Sequence, residues 1–286
     1  MFTQFQVVTV ECLKDNLSYL ILNTTEKTAI AVDPGEAQPF FRALETLKQS
    51  TGELFTIAAA ITTHHHHDHV AGLPDFPILP TWSSVGDKAR IPAAGSEGLK
   101  LSFERDRKYT WSELTRSKSQ LSANRNSGEI DSLEIDIMEI PGHTSGQIAL
   151  RVSGMSRISN ARETHLFVGD TLFSFGCGRC LEGTPEQLFL SLQKIKSLRA
   201  DTILHFGHEY TKRNLGFWRK AVSETPDRCR SIVNLADLTR FDLETSRAEF
   251  RFRRAPTLGE EVLTNPFLKV KTASEFSEWR AKRDDY

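Results

Sequence analysis

The stretch His64-His65-His66-His67-Asp68-His69 places five histidines and one aspartate within six residues, of which His64, His66, Asp68 and His69 are the candidate ligands. Imidazoles and a carboxylate crowded onto one turn are costly to hold together unless something binds them, and a divalent cation is the usual solution. Nitrogen and oxygen donors suit zinc, iron or manganese, and no cysteine falls among the candidate ligands to favour softer chemistry. The plain alternatives are an expression tag or a solvated polar loop. An internal tract that follows Ile61-Thr62-Thr63 argues against a tag.

The elements that must position this tract come next. Val7–Val10, Tyr19–Leu22 and Ala29–Val32 read as strands, the last stopping at Asp33-Pro34-Gly35. Phe40, Leu44 and Leu47 share one helical face, and Phe55–Ile61 is a continuous apolar run of the kind a buried strand carries into the histidine tract. A second series repeats the plan. Ile135–Ile140 ends at Pro141-Gly142-His143, Ile148–Val152 follows, Leu166–Val168 ends at Gly169-Asp170, and Thr202–Phe206 ends at Gly207-His208. Leu188, Leu192 and Ile195 mark a second helix. Each candidate ligand thus lies just past a strand, where loops can converge on the edge of a rigid scaffold.

From about Glu209 the pattern turns helical with charged faces, and Thr257-Leu258-Gly259-Glu260 has capping-box spacing. The division expected is 1–208 for the metal-binding domain and 209–286 for a smaller helical domain. Residues 101–132, rich in Ser, Arg, Lys and Asn, show no periodicity and read as a long surface excursion.

With 286 residues and 39% hydrophobic content the chain can fill a sizeable core, and a formal net charge of -1 gives no global field for nucleic acid or an anionic membrane. No apolar stretch approaches the roughly 20 residues that span a bilayer, and the start has no signal-peptide pattern. Four cysteines do not make a disulfide framework. A cytoplasmic protein is the expectation.

The segments Thr63 to His69, Pro141 to Gly146, Phe167 to Phe173 and Phe206 to Tyr210, in that order, resemble the metallo-β-lactamase superfamily. The resemblance implies an α/β fold, an αββα sandwich, and two divalent cations per chain, zinc in the first place with iron or manganese as alternatives. One would be held by His64, His66 and His143 and the other by Asp68, His69 and His208, with Asp170 bridging. His65 and His67 fall at variable positions, facing solvent or supporting the ligands. Asp33 matches an aspartate that orients the cluster. Two cations sharing a solvent molecule would supply a bridging hydroxide as nucleophile, with Asp68 and Asp170 as the catalytic carboxylates.

Four further stretches, Gly169 to Thr184, Gly207 to Thr211, Asn265-Pro266-Phe267-Leu268 and Arg280 to Tyr286, resemble glyoxalase II, the hydroxyacylglutathione hydrolases, over nearly the whole chain. That resemblance implies hydrolysis of S-D-lactoylglutathione to D-lactate and glutathione in methylglyoxal detoxification. The carboxylates of the substrate would meet Arg179, Arg280 and Arg283, with Tyr210 offering a hydroxyl; arginine suits them because its planar fork bonds carboxylates bidentately. Where the family often carries an aromatic residue after the basic position of the loop, this chain has Cys180-Leu181. Cys177 and Cys180 have thiol-oxidoreductase spacing but do not open a thioredoxin-type helix. The expected partner is a small-molecule glutathione thioester, with no nucleic acid, no membrane and a monomeric chain.

Other readings remain. A mono-iron enzyme resembling persulfide dioxygenase also handles glutathione derivatives, but the full second set, Asp68, His69 and His208, argues for the hydrolase. The complete ligand set argues against a non-catalytic binding module. The absence of an evident basic domain argues against a nuclease.

Overall fold

The computed structural model describes residues 4–95, 97–105, 107–115, 133–234, 238 and 255–286. The chain divides into two compact units, one of residues 1–139 and 146–169, the other of residues 140–145 and 170–286.

In the first unit, strand formation follows from β-branched and aromatic residues that can be buried on either face. The strands are β1 (Gln4–Cys12), β2 (Asn16–Asn23), β3 (Thr28–Val32), β4 (Thr56–Ile61), β5 (Thr81–Ser83), β6 (Lys100–Ser102), β7 (Lys108–Tyr109), β8 (Glu134–Glu139), β9 (Ile148–Ser156) and β10 (Arg162–Gly169). The order within this unit is β10-β9-β1-β2-β3-β4-β5-β6, with β8 also on β9 and β7 on β8. The hairpins β1-β2 and β2-β3 are antiparallel, whereas β3-β4, β4-β5 and β5-β6 run parallel.

Successive residues of β2 and β3 feed opposite faces. Tyr19, Ile21, Ile30 and Val32 join one apolar cluster; Leu20, Leu22, Ala29 and Ala31 join the other. Burial on both sides is why these strands lack polar alternation. Each such Leu or Ile contributes on the order of 1.5–3 kcal/mol relative to exposure. Helix α1 (Gln38–Thr51) sets Phe40 into the second cluster, and ends where Gly52 takes a left-handed φ of 73°.

Residues 101–115 are not the surface excursion expected. Phe103, Tyr109, Trp111 and Leu114 are almost fully buried in the first cluster, on β7, α3 (Trp111–Thr115) and the segment after β6. A two-residue strand and a five-residue helix are too short to leave a periodic signal, so sequence pattern misses them. Residues 116–132 of the same expected excursion lie outside the described residues.

The second unit contains β11 (Leu172–Phe173) and β12 (Gly176–Cys177), paired as a small hairpin, then α4 (Pro185–Lys196) and β13 (Ile203–Phe206). Helices α5 (Thr211–Glu224), α6 (Pro226–Cys229), α7 (Leu258–Thr264), α8 (Pro266–Lys269) and α9 (Ala273–Asp284) follow. Thr184 with Gln187 and Thr257 with Glu260 both form complete capping boxes, which satisfy amides that a bare helix start leaves unbonded. Trp218 is the hub of this core, its ring 5.3 Å from Phe267 and 5.2 Å from Trp279, with Phe276 5.6 Å from Phe267.

Candidate metal centre and substrate loop

In the first unit, β3 and β4 end side by side, and the turns after them carry Asp33 and His64. Asp33 holds a left-handed φ of 51°, uncommon for a residue other than glycine, and the surroundings over-determine it. Its amide donates to Ile61 O, and its carbonyl accepts from Ser18 Oγ. Its carboxylate accepts from the Thr63 amide at 2.6 Å and from Thr63 Oγ1 at 2.7 Å, and lies 3.1 Å from His69 Nδ1. Asp33 therefore fixes the backbone immediately before His64 and the ring of His69 together.

Asp33, His64 and His69 offer ligand-type atoms within 4.8 Å of one another, all three buried. With Nδ1 of His69 bonded to the carboxylate, Nε2 faces Asp68 Oδ2 at 3.6 Å. His64 Nε2 meets His66 Nδ1 at 3.1 Å. Asp68, on α2 (His67–Val70), is half-buried and held by Asn16, whose Nδ2 donates to Asp68 O and Oδ2. A Cβ at Gly35 would stand 2.2 Å from Asp68 O, so only glycine lets the Asp33 turn approach this helix so closely. His65 pairs with buried Asp87 at 3.2 Å and His67 is exposed.

In the second unit, His143 and His208 direct Nε2 at Asp170 Oδ2, at 3.5 and 3.3 Å. All three residues are buried. His143 Nδ1 lies 2.9 Å from the carbonyl of Arg179, which sets Nδ1 as the protonated nitrogen and leaves the Nε2 lone pair toward the carboxylate. Gly178 makes room here, since a Cβ would come within 1.9 Å of Asp170 O. Tyr210 stacks on His208 with ring centroids 4.7 Å apart, and Phe173 meets the Tyr210 ring edge-on at 5.1 Å.

The donor chemistry of each cluster fits a divalent cation. Imidazole lone pairs aimed at carboxylate oxygens are acceptors facing acceptors, an arrangement that a cation relieves, and the opposite ring nitrogens of His69 and His143 are anchored as metal-bound imidazoles require. Each unit thus carries a buried His/Asp cluster of the metal-binding type.

The expected carboxylate-binding arginines divide. Arg179 is exposed on the loop after β12, whereas Arg280 and Arg283 on α9 are 4% and 7% exposed. Arg280 Nη1 donates to Cys177 O at 2.8 Å and to Gly178 O at 3.3 Å. Arg283 donates to Asn214 Oδ1. Burial, then the nearby charges of Arg280, Arg213 and Arg179, press the Arg283 guanidinium down to about 10. Arg280 therefore also builds the loop, and Arg283 is tied to α5 through Asn214. The Cys177 and Cys180 thiols are both pushed up, Cys180 to about 11 and chiefly by burial, so neither is a ready thiolate at neutral pH.

Three supporting residues escaped the sequence reading. Asn16 braces Asp68; Glu261 and Asn265 hold the β11-β12 turn, Glu261 through Ser174 Oγ and Asn265 through the carbonyls of Phe173 and Gly176. Asn265, between α7 and α8, lies in the Asn265-Pro266-Phe267-Leu268 motif without an assigned task, and a lone Asn or Glu carries no signal of what it will face.

Residues 14–208 match the Metallo-beta-lactamase superfamily. Hydroxyacylglutathione hydrolase of Nostoc punctiforme is 33% identical over 274 residues, 94% of this chain and 90% of that protein. Its namesake from Pelagibacter ubique is 31% identical over 285 residues, 98% of this chain and 100% of that protein. The crystal structure of a metallo-beta-lactamase from Staphylococcus aureus shares the fold with a TM-score of 0.61 at 17% identity, covering 97% of this chain and 66% of that one. With near-full-length relatives of one name and a buried His/Asp cluster in each unit, the chain belongs to the metallo-β-lactamase superfamily, among its hydroxyacylglutathione hydrolases.

Proposed function

We propose that the protein hydrolyses S-2-hydroxyacylglutathiones, with S-D-lactoylglutathione giving D-lactate and glutathione in methylglyoxal detoxification. The observation that carries this reading is the anchoring of His69 and His143 through Nδ1, which readies Nε2 for a cation in a chain of this family. His64, His66 and His143 would hold one cation and Asp68, His69 and His208 the other, with Asp170 shared. Zinc suits this donor set, with iron or manganese as alternatives. When bound, such cations make water nucleophilic near neutral pH and stabilise negative charge on a carbonyl oxygen.

The chain's own residues do the rest. Asp33 keeps the His69 ring in one orientation, and Asn16 keeps the Asp68 carboxylate in place. In the overall reaction, water adds its oxygen to the thioester carbon and the carbon–sulfur bond breaks. The leaving thiol, with a pKa near about 8.5, departs without a dedicated acid. Arg179, Arg280 and Arg283 would meet the carboxylates of the glutathionyl part, with Tyr210 offering a hydroxyl. Functionally, 1–208 is the metal-binding domain and 209–286 the substrate-binding one. The expected setting is cytoplasmic, with a monomer acting on a small molecule; no helix among the described residues is long and apolar enough to cross a membrane.

The test is hydrolysis of S-D-lactoylglutathione by purified protein, followed at the thioester absorbance, with metal content measured on the same sample. Turnover that is lost on chelation and restored by metal is expected. A fully metallated protein that leaves this thioester intact overturns the reading.

A further inference from the structure

The arginine cluster of the second unit holds a carboxylate of its own. Asp284 Oδ1 lies 3.2 Å from Arg179 Nε and 3.0 Å from Arg280 Nη2, so one oxygen is shared by two guanidinium groups. The position follows from helix geometry, because Arg280 and Asp284 are four residues apart on α9 and share a face. We propose that Asp284 is a resident counter-anion that occupies the carboxylate-binding position of the Arg179–Arg280 pair and must yield to the carboxylate of the substrate, thereby setting the affinity of the site. The proposal rests on the reading of this chain as a glutathione thioester hydrolase.

Two observations argue for displacement rather than permanent structure. The Arg280 side chain is already held by the carbonyls of Cys177 and Gly178, so its placement does not depend on Asp284. The side chains of Arg179 and Asp284 are 52% and 40% exposed, so their contact opens into water, and an incoming carboxylate takes over the counter-charge that the buried Arg280 guanidinium otherwise receives from Asp284. Arg213 and Arg283 add to the positive field, as the lowered pKa of Arg283 reflects after the effect of burial. A carboxylate arriving on a ligand meets the same fork in the same chemistry, and competes with Asp284 for it.

Asp284→Asn removes the competing charge while keeping shape. Its KM for S-D-lactoylglutathione is expected to fall about two- to fivefold, the scale of the exposed Arg179–Asp284 pair, with the effect carried by KM rather than kcat. The same substrate with its glycyl carboxylate esterified should show no such fall, and Asp284→Glu should restore the parent KM. A KM that rises in Asp284→Asn would make Asp284 a positioning residue for the arginines, and an unchanged KM would make it a bystander; either result overturns the proposal alone. No turnover by the metallated parent chain would overturn the thioesterase reading and this proposal with it.

Discussion

Glu261 is a buried carboxyl whose protonation can be read from stability. It sits on α7 beneath the β11-β12 turn, Oε1 accepting from Ser174 Oγ at 2.7 Å and Oε2 from Asn265 Nδ2 at 3.2 Å. Burial outweighs these bonds and lifts its pKa from 4.5 to about 7. At about 1.4 kcal/mol per unit, that difference is worth about 3 kcal/mol. The folded chain keeps a proton that the unfolded chain releases above 4.5, so this contribution is full below 4.5 and is lost as pH rises through about 7. Glu261→Gln keeps the shape and cannot ionise. Its melting temperature relative to the parent should therefore climb between about pH 5 and about pH 8, by about 6 °C if each kcal/mol is worth about 2 °C in a chain of this size. All other ionisable groups are common to both proteins and cancel in the difference. The assay is differential thermal unfolding of the two metal-loaded proteins across that range. A difference that stays constant would refute a titrating Glu261.

Three further outcomes are expected. Asp33→Asn should weaken metal binding by about 10- to 100-fold in a competitive chelator titration, because the His69 ring loses its carboxylate anchor; unaltered affinity would leave Asp33 a backbone brace only. Gly35→Ala should lower metal content per chain and cost about 2 kcal/mol or more, since its Cβ meets Asp68 O at 2.2 Å; a fully loaded variant with the parent melting temperature would show that the turn yields freely. Arg280→Ala should raise KM more than it lowers kcat and also cost about 1–3 kcal/mol of stability, because the buried carbonyls of Cys177 and Gly178 lose a donor. A raised KM at unchanged stability would give Arg280 a purely substrate-facing task.

The stops after β3, β4, β8, β10 and β13 are legible in the sequence because each apolar run ends in a residue that chemistry, and not packing, would choose: Asp33, the His64 tract, His143, Asp170 and His208. The helices α1 and α4 are legible for a related reason, since one buried face leaves a period that can be counted. Local pattern also supplied the capping box at Thr257, whose partners are three residues apart.

What tertiary structure alone decided are contacts between residues distant in the chain, and short elements with no period. Trp111 and Tyr109 read as part of a polar excursion until packing places them in the core. Arg280 and Arg283 read as carboxylate-binding residues, but no local pattern shows that both are buried, Arg280 because α9 lays it under the Cys177–Gly178 segment about a hundred residues earlier in the chain, and Arg283 against Asn214. Asp284 lay within the quoted tail, but its neighbour Arg179 comes from that same distant loop. Residue type and spacing carry donor chemistry, which is intrinsic to a side chain. Which partner a buried charge meets depends on the path of the whole chain, and no local window contains it.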